Sequence, residues 1–204
     1  MQQAMEHAVT DDISIRLGKS LVIVSAKEVI NNALRQAIGD TAPPFFKHRA
    51  APAIGEFWKE QGGTYIGILR DADGIEYHNV ISLEQEFNGV KWGERGKEIA
   101  HCTSDRDGLA NTIAMAEAGS ELARDILRMR LNGFDDWALP ARHQLRLAYL
   151  NAPESFDKES WYWSSTQFSA YGAWLQYFAN GGQLTWLKDS EYRARAVRRF
   201  SVIE

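Results

Sequence analysis

Cysteine is almost missing from this 204-residue sequence, in which Cys102 stands alone. One thiol excludes an intramolecular disulfide and any zinc site assembled from several cysteines, and it sets no demand for an oxidising compartment. No apolar run approaches the ~20 residues of a membrane-crossing helix, so membrane insertion is not expected. Positive charge is not in excess either. With 23 Lys and Arg against 27 Asp and Glu the formal net charge is −4. That gives no global pull toward phosphate, and nucleic acid is not the expected partner. The opening stretch MQQAMEHAVTDD has neither the charged nor the apolar segment of a Sec-type signal peptide, so synthesis in a cytoplasm without Sec-type export is expected. Also absent are a G-x-S-x-G nucleophile elbow, a complete calcium-loop pattern and a repeat of fixed period.

What is present suffices for a real core: 45% of residues are hydrophobic and 11% aromatic, enough for one large or two small domains. Residues 13–24, ISIRLGKSLVIV, alternate and then run apolar, which predicts two short strands or one bent strand, broken at Gly18-Lys19. Ser25 then opens a helix with Val29, Ile30, Leu34 and Ile38 on one stripe and Gly39 as its stop. Pro43, Pro44 and Pro52 mark the stretch 41–52 as a linker. The expected organisation is therefore a small strand–helix unit over 1–49 and a larger domain over 50–204.

The larger domain begins with a hairpin whose arms, Tyr65 to Leu69 and Tyr77 to Ile81, meet at an Asp73-Gly74 turn. Residues 105–131 read as a helix interrupted at Gly119-Ser120 and ending at Asn132-Gly133, and Arg142 to Tyr149 as a shorter one. From Trp161 to Phe200 the composition is β-like, with an Asn180-Gly181-Gly182 turn. In WYWSST, period-2 geometry puts Trp161 and Trp163 on one face and Tyr162 on the other, with one face expected in the core.

Several of these segments carry a resemblance. Gly133, Asp136-Trp137, Leu139-Pro140 and Leu145, then Tyr162-Trp163-Ser164-Ser165-Thr166, then Ala173-Trp174, Phe178, Asn180-Gly181 and Arg195-Ala196-Val197-Arg198 stand in this order. Together they resemble the C-terminal domain of collagen-like adhesins and its phage relatives, a C-type-lectin-like fold of the sulfatase-modifying-factor type. The resemblance spans roughly residues 50 to 200 and implies an α+β domain. Ala138, Ala141 and Gln144 stand where that family has Arg, Thr and Glu, so the capping box of the second helix is expected to be lost and its start weakened. Residues 1–49 have no counterpart in the family and are expected to serve docking or homo-oligomerisation.

The resemblance implies binding more often than catalysis. The residues agree, because Ser164 and Ser165 have no base at relay spacing among His7, His48, His78, His101 and His143. Formylglycine generation, the enzyme activity best known on the fold that the resemblance implies, needs redox- or copper-active cysteine pairs, and Cys102 reads instead as a small buried hydrophobe. Asp71, Asp73 and Glu76, like Asp135 and Asp136, suit turns and caps better than a metal, and Asp136 is expected to bond backbone. No cofactor or metal is implied.

Two segments remain as candidate sites. RARAVRR places Arg193, Arg195 and Arg199 on one strand face with Val197. Such a row either clamps phosphate, sulfate or carboxylate, or stacks on rings and pairs with acids such as Glu191. Residues 167–192 crowd rings among small polar residues, the composition of a recognition surface. Its candidate ligand-binding residues are Phe168, Tyr171, Trp174, Gln176, Trp186, Lys188, Asp189 and Tyr192, and the face is expected on loops 167–173 and 183–192. The expected function is non-catalytic recognition of a host protein or surface glycan by a phage or prophage receptor-binding or accessory module, in a virion. The alternative is a phage-encoded inhibitor of a host enzyme or defence complex, acting in the host cytoplasm.

Overall fold

The computed structural model describes residues 12–17, 20–25 and 51–202. The chain divides between Ala50 and Ala51 into two units. In the first, β1 (Asp12–Leu17) and β2 (Ser20–Ser25) pair antiparallel from Asp12 opposite Ser25 to Leu17 opposite Ser20. The alternating stretch is thus two strands. The helix expected from Ser25 to Gly39 and most of the 41–52 linker lie outside the described residues.

The second unit is an α+β arrangement, one seven-stranded mixed sheet with three helices. Its strands are β3 (Phe57–Trp58), β4 (Gly63–Arg70), β5 (Glu76–Lys91), β6 (Trp161–Gln167), β7 (Gly172–Tyr177), β8 (Gln183–Leu187) and β9 (Glu191–Ser201), and its helices are α1 (Gly108–Glu117), α2 (Glu121–Leu127) and α3 (Arg142–Asn151). The spatial order is β3-β4-β5-β9-β6-β7-β8. The last strand in sequence therefore lies mid-sheet, and the pairing of β6 with β9 is parallel while the other strand pairs are antiparallel.

Local chemistry explains the boundaries. The β4–β5 turn forms because Asp71 Oδ1 accepts from both Asp73 N and Ile75 N at 2.9 Å, with Gly74 at φ +84°. Asp107 caps α1 by accepting from Ala110 N at 3.0 Å. Ser120 caps α2 and also donates to Trp92 O at 2.7 Å. The weakened start expected for α3 is offset by tertiary partners. Only the N-cap half of the box is lost, because Ala141 has no side-chain acceptor; the other half is kept, with Gln144 Oε1 accepting from Ala141 N at 2.9 Å, and the tertiary partners are Thr166 Oγ1, accepting from Arg142 N at 3.0 Å, and Asp105 O, accepting from His143 N at 2.8 Å.

Both faces of β6 are core, where one was expected. Trp163 packs with Trp92, Met115, Leu122, Ile126 and Trp137 on the side of α1 and α2. Tyr162 packs with Ile66, Leu145, Ala148, Phe178 and Val197 on the side of α3. The physical reason is that helices cover both sheet faces, so alternation along the strand sorts side chains between two buried clusters. The DWALP segment joins β9 through paired bonds of 2.8 Å between Ala138 and Val197, and Pro140 O accepts from Ser165 N at 2.8 Å. At the β7–β8 turn Gly181 has φ +75°, and a Cβ there would lie 2.4 Å from Tyr149 Cε1 of α3. Arg146 Nη1, also on α3, donates to Gly181 O at 2.6 Å.

Candidate binding face

The loop joining β6 to β7 is a tight reversal in which Phe168 N and Ser169 N both donate to Gly172 O, at 3.0 and 3.1 Å. It projects Phe168 and Tyr171 into solvent, 61% and 59% exposed, beside Trp186 of β8 at 49%. Phe168, Tyr171, Trp186 and Leu187 line a cleft of about 300 Å³ that also takes in Ser169 and Thr185. Trp174 flanks it. Phe168 meets Trp174 edge to face at 5.7 Å, and the Arg142 guanidinium stacks 3.6 Å from the Trp174 ring centroid.

The other residues expected at this face are distributed differently. Asp189 is exposed on the turn after β8. Tyr192 is half-buried and meets Trp163 edge to face at 5.2 Å. Gln176 is buried, with Nε2 donating to Tyr177 O at 3.0 Å and to Gly182 O at 3.4 Å. Lys188 is fully buried beneath the face. Its Nζ donates to Lys97 O at 2.7 Å and Gln167 Oε1 at 2.6 Å, and lies 4.7 Å from the Trp92 ring centroid. Burial pulls this ammonium down to about 8, against the partial support of Cys102 and Glu98. Lys188 also carries the backbone bonds that hold the segment before α1: its carbonyl accepts from Trp92 N at 3.0 Å and Gly93 N at 3.2 Å. Gly96 N donates to Ala170 O at 3.0 Å, which ties that segment to the loop bearing Tyr171.

The arginine row of β9 is engaged within the chain. Arg193 reaches Glu86 at 2.8 Å and Asp157 at 2.9 Å. Arg195 reaches the other Glu86 oxygen at 2.9 Å and the carbonyls of Ser82 and Leu83. Arg199 meets Asp107 at 2.5 Å and stacks 4.4 Å from the Tyr77 centroid. Arg198, on the opposite face, pairs with Asp136 and lies 3.6 Å from the Phe134 centroid. The carboxylate partners are thus Glu86, Asp157, Asp107 and Asp136 rather than Glu191. Asp136 takes a guanidinium, not the backbone donor expected of it.

Ser164 and Ser165 are buried. Ser164 Oγ donates to Trp174 O at 2.9 Å, and Ser165 Oγ accepts from Asn111 Nδ2 at 3.2 Å. Cys102 is buried too, its thiol pushed up to about 12 by burial. Two further hollows of about 490 Å³ carry carboxylates on their walls: Glu94, Glu121, Asp125 and Glu191 in one, and Asp71, Asp73, Asp105 and Asp107 with His143 in the other. Among the described residues no group of three or more His, Cys, Asp or Glu is placed to hold a metal ion.

Sequence reading missed Leu187, Arg142 and the free edge of β8. The Trp186-Leu187 pair and the uncharged run QLTWL were the available signals.

No family model matches the sequence, and no curated protein is significantly similar to it. Among solved structures, a fimbrial protein from Bacteroides ovatus is similar to this chain at 10% identity and a TM-score of 0.38. That likeness covers 80% of this chain and 41% of the fimbrial protein, so the chain spans about two fifths of that neighbour's length.

Proposed function

We propose that this chain is a non-catalytic recognition protein that holds a host protein or surface glycan on the face of Phe168, Tyr171 and Trp186. The observation that carries the reading is the cluster itself. Three large rings and Leu187 stand exposed around one cleft, while the other rings from Trp161 to Phe200 are buried or half-buried. The proposed architecture is a C-type-lectin-like domain in a phage or prophage receptor-binding or accessory module. Its support is the ordered set of motifs, whose DWALP, YWSST and RAVR segments hydrogen-bond to one another around β9 and β6. The buried hydroxyls of Ser164 and Ser165 and the suppressed thiol of Cys102 favour binding over nucleophilic chemistry.

The test is retention of the purified chain on arrays of immobilised host envelope glycans and envelope proteins. The triple variant Phe168→Ser, Tyr171→Ser, Trp186→Ser is expected to lose about 100-fold in affinity, as removal of several central anchors does, with a native circular dichroism spectrum. Unchanged retention would sink this face.

A further inference from the structure

We propose that the outer edge of β8 is a strand-addition site for an extended segment of a partner polypeptide. The segment's backbone would pair with Gln183, Thr185 and Leu187 while its alternate side chains enter the cleft of Phe168, Tyr171 and Trp186. This rests on the recognition reading above and names the class of ligand.

The phase of the β7–β8 ladder settles which groups are free. Lys188 N donates to Tyr171 O at 3.0 Å, and Gly182 O accepts from Tyr177 N at 2.8 Å. With the register Gly172–Leu187 to Gln176–Gln183, residues 182, 184, 186 and 188 turn their backbone groups toward β7. Gln183, Thr185 and Leu187 therefore point theirs outward. Leu187 O is taken by Ser190 N at 3.0 Å. Among the described residues the remaining outward groups, the N–H and C=O of Gln183 and Thr185 and the N–H of Leu187, have no hydrogen-bond partner.

The two ends of the sheet differ in how they meet this problem. β3 is only two residues long and runs straight into the 3-10 turn Lys59–Gln61, so it offers almost no edge. β8 is five residues of QLTWL without charge or proline, and nothing in its sequence blunts it. Its free groups repeat every second residue, ~7 Å apart, which another extended polypeptide matches and a sugar ring does not. Size separates a peptide segment from a second copy of the chain. A specific dimer buries ~800 Å² per partner from about 20–30 residues a side, whereas this patch is one five-residue strand and four large apolar side chains.

The experiment selects a random-peptide display library on the purified full chain, then measures the enriched peptides by fluorescence polarisation against Thr185→Pro and Thr185→Val. Proline removes only an outward N–H and is tolerated on an edge strand, and circular dichroism checks that the fold is kept. Expected are peptides with apolar residues at alternate positions, affinity lost by about tenfold or more in Thr185→Pro as ladder bonds and close approach are lost, and affinity kept in Thr185→Val. Amide exchange at Gln183, Thr185 and Leu187 should slow on binding. If Thr185→Pro binds as the wild type does while the triple ring variant fails, strand addition is wrong and the recognition face stands. If the triple ring variant also binds normally, both readings fall. No enrichment over Thr185→Pro overturns strand addition, and so does a concentration-dependent dimer of the wild type that Thr185→Pro abolishes, because the occupant would then be a second copy.

Discussion

The arginine strand and the aromatic loops looked alike as sites in the sequence, each a local excess of one recognition chemistry, yet the fold treats them in opposite ways. β9 runs through the middle of the sheet, and its guanidiniums meet Glu86, Asp157, Asp107 and Asp136 brought in from other elements. The loops beside β7 and β8 lie at the sheet's end, where among the described residues no element covers Phe168, Tyr171 and Trp186. Composition proposes a site; position in the strand order decides whether the chain consumes it or leaves it open.

The difference can be broken most severely at Glu86, which accepts from Tyr162 Oη at 2.6 Å and from Arg193 and Arg195. Glu86→Ala strands the buried Arg195, and a loss of about 3–5 kcal/mol is expected, read from urea denaturation, with Glu86→Gln losing less. A stability change no larger than that of an exposed ion pair would show the row to be available for a ligand.

Lys188 should show a weaker effect with a characteristic pH dependence. Its folded value of about 8 lies below its ordinary 10.5, so between those values the unfolded chain binds the extra proton and stability rises with pH. Cys102 acts in the opposite direction above its ordinary 9.0, because the folded thiol holds its proton to about 12. The Lys188 contribution is therefore cleanest between pH 8 and 9. There the wild type should gain stability relative to Lys188→Met, and parallel urea midpoints for the two proteins would contradict a buried, strained ammonium.

The smallest effect is expected where the proposed binding depends most. Each of the single variants Phe168→Ser, Tyr171→Ser and Trp186→Ser should change unfolding stability by only about 0.5 kcal/mol, as at exposed positions, with Phe168→Ser losing most because its ring meets Trp174 edge to face. A large thermal destabilisation would mark the rings as structural.

Much of the fold was legible because it is written locally. The Asp73-Gly74 turn, the Gly119-Ser120 break between α1 and α2, and the Asn180-Gly181-Gly182 turn each follow from residues within one turn of the chain. The site was legible only in part. Phe168, Tyr171 and Trp186 were named together with Gln176 and Lys188, which are buried. What takes those polar groups inside is a set of backbone carbonyls, and in the case of Lys188 one belongs to Lys97, 91 residues away. The arginine partners are equally distant: Glu86 is 107 residues from Arg193. That β8 ends the described sheet was not legible at all. It does so because β9 inserts between β5 and β6, and that order is a property of the whole sheet.

Gly181 carries a consequence for the thermodynamics of recognition. Contact with Tyr149 and Arg146 pins the start of β8 to α3, and Lys188 pins its end, so the strand is already ordered along its length before any ligand arrives. On the proposed strand addition, association would freeze little of the protein, and the ordering entropy would fall almost wholly on the incoming molecule.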